Sequence, residues 1–171
     1  MLVEALKTYG LRETPGPASA QWILDMAKEV GGWIADWYQA DATPWCGLWM
    51  AAIAMRAGKP VNLKNPLAAL SWAEWGDAAE RDEWNEWRPE LGDVLVFTRK
   101  GGGHVGLYVG ETPCGQWFYV LGGNQSDSVN IMRISRGRLA AARRLYRIGK
   151  PANVRPVFIL PAGEAVSTNE A

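Results

Sequence analysis

The sequence predicts an α+β domain, with N-terminal helices packed on a C-terminal antiparallel sheet. Three observations lead there. Apolar residues recur at helical spacing ahead of Trp75, and strand-like runs divided by turns begin at Val94. Between them Pro89-Glu90-Leu91-Gly92-Asp93 is a turn at which the period changes.

In chain order, Leu2 to Tyr9 is a short helical piece and Thr14-Pro15-Gly16-Pro17 a loop. Ser19 suits the cap of a helix to about Val30, with Trp22, Ile23, Met26 and Val30 on one face and Gly31-Gly32 ending it. Thr43 suits the next N-cap and Pro44 the first helical position, so Cys46 falls in the first turn. That helix continues through Leu48, Trp49, Ala52, Ile53 and Met55 to Gly58. It is apolar almost all round and is expected to be buried. Asn65-Pro66 repeats the cap-then-proline signal for a helix to about Trp75, and residues 77–90 read as irregular. Strands are expected at Val94–Thr98, His104–Val109, Gln116–Leu121 and Val129–Ile134, with a last one in Arg143–Ile148. One domain, residues 1–150, is expected, with a tail, residues 151–171, that drapes over it or is partly disordered.

The 171 residues suffice for one core, and 48% hydrophobic against 21% charged residues is a globular balance. A net charge of zero argues against a nucleic-acid partner, although Arg133, Arg136, Arg138, Arg143, Arg144 and Arg147 form a late basic cluster. The ten tryptophans are read mainly as core, with some in a groove; Trp84–Arg88 is one candidate groove wall. No run approaches the ~18 apolar residues of a membrane span. Met1–Lys7 does not read as a secretory signal, so synthesis in the cytoplasm is expected, and action outside by release or delivery. Cys46 and Cys114 make no disulfide framework, and Cys114, in a Pro-Cys-Gly turn, reads as incidental.

The chemistry lies in three residues. Cys46 sits at a helix N-terminus, which favours a thiolate. His104, the only histidine, opens a strand after Gly101-Gly102-Gly103 and is a candidate general base. Asn124, after Gly122-Gly123, offers an amide to fix the imidazole tautomer, though Asn after Gly-Gly is first of all a turn residue. The Cys46 N–H is a natural oxyanion donor. A catalytic set of this kind requires the Cys46 sulfur near a His104 ring nitrogen. Metal and cofactor sites are not expected, since ligands do not cluster and no phosphate-loop pattern accompanies the glycines. Asp41, Asp93 and Asp127 read as turn and cap residues, with Asp41 close to the Cys46 helix.

Several stretches together resemble the NlpC-type and CHAP-type papain-like cell-wall peptidases, and within them a small phage- and prophage-associated family. They are Glu4-Ala5-Leu6 with Thr14-Pro15-Gly16-Pro17, Thr43-Pro44-Trp45-Cys46, and Leu91-Gly92-Asp93-Val94-Leu95-Val96-Phe97. Gly103-His104-Val105-Gly106-Leu107-Tyr108-Val109-Gly110 and the run from Val120 through Gly122-Gly123-Asn124-Gln125 to Ile131 complete them. The resemblance implies a papain-like fold and hydrolysis of amide bonds in bacterial peptidoglycan, by an endolysin or a tail-associated enzyme. It implies Cys46 as nucleophile, His104 as base and Asn124 as orienting residue, with Gln125 a further candidate for substrate binding or orientation. CHAP-type enzymes often carry a glutamate two residues before that asparagine, where this chain has Gly122. Two rivals stand beside it: a structural or binding component of a phage-like tail, and a thiol acyltransferase or protein hydrolase on the same scaffold.

Overall fold

The fold is α+β. A computed structural model describes residues 1–16, 18–146 and 148–160. The helices are α1 (Leu2–Leu6), α2 (Gln21–Val30), α3 (Gly32–Trp37) and α4 (Cys46–Arg56), with a 3₁₀ helix at Ala69–Glu74. The strands are β1 (Asp77–Ala78), β2 (Val94–Arg99), β3 (Gly102–Glu111), β4 (Trp117–Gly122), β5 (Asn130–Ser135) and β6 (Leu139–Arg144). They form one antiparallel sheet in the order β1-β6-β2-β3-β4-β5, so a meander from β2 to β5 is closed on its other side by the returning β6.

Strand alternation divides the core in two. Val94, Val96, Val105, Leu107 and Leu121 face the helices, while Leu95, Phe97, Tyr108, Phe118 and Val120 pack on the other face under Trp87 and Val157. Because both faces of β2 are covered, its Val94-Leu95-Val96-Phe97 run is continuously apolar. Every residue of α4 from Cys46 to Ala54 is buried, in keeping with its all-round apolarity, and the helix packs between α2 and β3. Trp45, Trp49 and Trp72 are wholly buried, whereas Trp33, Trp37 and Trp84 are exposed.

Several boundaries differ from expectation. Ser19 is not the cap of α2; Ala20 is, and its N–H donates to Asp41 Oδ2 at 2.7 Å. Asp41 therefore ties the start of α2 to the loop before α4. The short α3 has no counterpart in the expected elements; Gly31 and Gly32 take positive φ (74° and 56°) and redirect the chain into it. Asn65 caps as expected, accepting the N–H of Leu67 at 3.1 Å and of Ala68 at 3.3 Å, but the helix at Ala69–Glu74 is 3₁₀ rather than α. The last strand lies at Leu139–Arg144, ahead of the expected Arg143–Ile148, because Ala141 and Ala142 pair with Val96 and Leu95 of β2. Within 77–90, residues Asp77 and Ala78 pair with β6.

Beyond Lys150 the chain runs beside the end of β3. Glu111 N–H donates to the Val157 carbonyl, and the Glu111 carbonyl accepts from Ile159 N–H, each at 2.8 Å. Residues 161–171, Pro17 and Arg147 lie outside the described residues. Much of the late arginine cluster is spent internally: Arg136 pairs with Glu111, Arg144 with Asp93 and Glu90, and Arg143 donates to the carbonyls of Trp75 and Gly76. No helix among the described residues is long and apolar enough to cross a membrane.

Candidate active site

Cys46 is the first residue of α4, and Trp45 holds the N-cap with non-helical angles (φ −114°, ψ 12°). The Thr43 cap expected from sequence is two residues early. Thr43 stays in the loop, where its carbonyl accepts from the Tyr38 hydroxyl. The shift brings the thiol closer to the helix end and its unpaired N–H groups.

The sheet explains where the sulfur lands. Tyr108 N–H donates to the Asp93 carbonyl at 2.8 Å, toward β2. Main-chain groups point alternately to the two neighbours along a strand, so Val105 N–H points the other way, toward β4. There the β3–β4 pairing has already ended at Leu107 opposite Leu121. The chain leaves the sheet through Gly122 and Gly123, and Gly123 lies so close to α4 that a Cβ would stand 2.6 Å from the Trp45 ring and 2.8 Å from Trp49. The N-terminus of α4 fills this opening. The Val105 N–H, on the peptide that joins His104 to Val105, is directed at the Cys46 thiol closely enough to favour its thiolate form.

Burial pushes the Cys46 thiol above its ordinary ionisation range, and the residue is only 4% exposed. The Val105 N–H, the Arg99 charge and the N–H groups of Gly47 and Cys46 oppose that shift without cancelling it. Gly47 is required here, because a Cβ would collide with the Pro66 and Leu67 carbonyls.

His104 is 1% exposed, sits opposite Phe97 in the β2–β3 register, and stacks over that ring at 6.5 Å and 27°. Its Nε2 lies 3.0 Å from Gln125 Oε1. The Gln125 amide has one possible orientation. Its nitrogen donates to the Asn130 carbonyl at 2.7 Å, to Asn130 Oδ1 at 3.0 Å and to the Val120 carbonyl at 3.2 Å. An amide turned the other way would set its oxygen against these acceptors. The oxygen must therefore face the histidine, Nε2 carries the proton, and Nδ1 is the basic nitrogen of the neutral ring. Asn130 and Ser128 in turn hold the Gln125 carbonyl, at 2.7 and 2.9 Å.

The side chain on His104 Nε2 is that of Gln125, one position after the Asn124 expected there. Asn124 is buried with φ 56°, and its part is the left-handed turn that carries the chain off β4. Gln125, the next residue and one methylene longer, folds back across the turn to His104. Gly122 makes room for it: a Cβ there would stand 2.8 Å from Gln125 Oε1 and 3.1 Å from His104 Nε2. The Gln125 amide thus fills the space that a side chain at position 122 would enter.

Burial pushes the Tyr38 phenol far up, with the charges of Asp41, Glu13 and Cys46 adding to it. Burial likewise raises Glu13, which accepts from the Trp45 indole N–H. Glu13 immediately precedes the Thr14–Pro17 loop but carries no chemical signal of its own in the sequence. Cys114 is a second free thiol, exposed and away from this site, with Thr112 Oγ1 3.2 Å from its sulfur. No protein-family model matches the chain, and a search of curated proteins returns no match.

Proposed function

We propose that this protein is a cysteine hydrolase of papain-like architecture that cleaves amide bonds of bacterial peptidoglycan, in the service of a phage or prophage. One observation supports the chemistry: Cys46 opens α4, with the Val105 N–H of the peptide adjoining His104 favouring its thiolate, while Gln125 Oε1 lies 3.0 Å from His104 Nε2 and sets the Nε2–H tautomer. The wall as substrate rests on the motif resemblance around Cys46, His104 and Gly122–Gln125.

In this proposal His104 Nδ1 takes the Cys46 proton as the sulfur attacks the amide carbon. Because burial favours the neutral thiol, the proton moves with the attack rather than resting in a standing ion pair. The Cys46 N–H, at the helix start, receives the developing oxyanion. The imidazolium then protonates the leaving amine. A water, deprotonated by the same nitrogen, resolves the thioester to a carboxylic acid and restores the thiol.

The same buried, neutral thiol favours a second reading: a tail component that keeps the fold with weak or no catalysis. Digestion of purified peptidoglycan by wild type and Cys46→Ala, with fragments read by mass spectrometry, separates the two. Fragments from wild type alone support the hydrolase, and their new termini name the bond. No release from walls of several chemotypes by folded, reduced protein supports the inert component.

A further inference from the structure

A groove of about 810 Å³ opens at the far end of β3 from the thiol, within the roughly 300–1,000 Å³ of small-ligand clefts. Val105 and Glu111 mark the two ends, and the rise of a strand sets them about 20 Å apart. We propose that this groove is a binding site for a neutral saccharide, the glycan strand of the wall, and anchors the protein on its substrate. The occupant rests on the peptidoglycan reading above; the groove itself does not use the thiol.

Its walls are aromatic. Trp84 and Phe158 line it at 71% and 66% exposure, and half-buried Trp117 lies between β4 and solvent. Apolar rings held open to water are costly to leave bare and suit the CH faces of pyranose rings. No part of the core requires Trp84 to stand in that position. It projects from the 82–86 turn, which is fixed by Asp82 Oδ1 accepting the N–H groups of Trp84 at 3.0 Å and Glu86 at 2.8 Å.

The charges in the groove decide the ligand class. Arg88 pairs with Asp82 at 2.6 Å, and Arg136 pairs with Glu111. Arg136 also donates to the Gly115 and Trp87 carbonyls and lies over the Phe118 ring at 4.4 Å. Each guanidinium therefore already has a carboxylate partner, and Glu86 leaves the lining with one negative charge in excess. A stem peptide, with its carboxylates, would need a free cation here, whereas a neutral glycan does not. Gln116, Ser135 and Glu86 supply hydrogen-bonding groups for hydroxyl and N-acetyl substituents.

The test is calorimetric titration of the full chain with N-acetylglucosamine tetrasaccharide. Wild type and Cys46→Ala are expected to bind alike, and Trp84→Ala and Phe158→Ala to bind about tenfold more weakly each. Both aromatic variants are expected to keep wild-type activity on a soluble stem peptide and to lose activity on intact sacculi. No binding by wild type, or binding as tight as wild type by both aromatic variants, overturns the anchor. The two proposals fail separately: saccharide binding without any wall cleavage sinks the hydrolase and leaves the groove, and cleavage of soluble stem peptide without saccharide binding does the reverse.

Discussion

Gln125 Oε1 accepts from His104 Nε2 at 3.0 Å, and the acceptors around the Gln125 nitrogen allow no other arrangement. Asn124, one residue earlier, contributes backbone conformation. Two substitutions separate these parts. Gln125→Ala is expected to lower kcat for wall hydrolysis on the order of 10²-fold by freeing the ring and its tautomer. Asn124→Gly, which keeps the φ of 56° and removes the side chain, is expected to stay within a few-fold of wild type. The reverse ranking in steady-state rates would return the orienting part to Asn124.

Gly122→Ala places a methyl 2.8 Å from Gln125 Oε1 and 3.1 Å from His104 Nε2. The contact must open, so kcat is expected to fall on the order of tenfold or more with KM little changed. Circular dichroism and the melting transition should show a folded protein. An unaltered kcat would mean that the His104–Gln125 contact does not matter to turnover.

The two free thiols should react in a fixed order. Burial raises Cys46, while the Thr112 hydroxyl lowers exposed Cys114. Iodoacetamide near neutral pH is expected to label Cys114 first, and labelling of Cys46 to climb only as the pH passes the ~8.5 of an ordinary thiol. The same shift affects stability. The folded chain holds the Cys46 proton after the unfolded chain has lost it, so this contribution is complete below the ordinary thiol range and is lost as the pH rises from there through the raised value of the folded chain. Peptide mapping after timed alkylation checks the order, and earlier labelling of Cys46 would contradict a desolvated thiol.

Asp93 and Arg144 form a buried two-point pair, at 3.1 Å and 2.6 Å, with Asp93 1% exposed. Asp93 Oδ2 also accepts the Glu90 N–H at 2.8 Å and so closes the turn into β2. Asp93→Ala leaves the arginine buried and is expected to cost about 3–5 kcal/mol in urea unfolding. A loss below about 1 kcal/mol would show that Glu90, 3.0 Å from Arg144 Nη1, holds the guanidinium alone.

The α+β class is legible in the sequence because local patterns agree with their final surroundings. Val94–Phe97 is apolar on both faces, and α4 is apolar all round. The position of β6 is not legible, because Leu139-Ala140-Ala141-Ala142 has little strand character; its pairing with β2 overrides its propensity. Cys46 and His104 can be read from their flanks, since each sits where an element begins. Gln125 cannot. Its part depends on how far a side chain folds back over a left-handed turn, and the sequence around Gly122-Gly123-Asn124 marks the turn without giving its reach.

Cys46 and Val105, whose N–H favours its thiolate, are separated by a long stretch of chain, and the groups fixing His104 extend to Asn130. During synthesis the Cys46 thiol emerges early, but the amide that sets the imidazole arrives only after β4 has been made. A nascent chain interrupted before Gln125 carries the thiol without the assembled site. On the proposed function, the producing cell meets the chemistry of Cys46 only in chains extended past Asn130, and shorter translation products are inert.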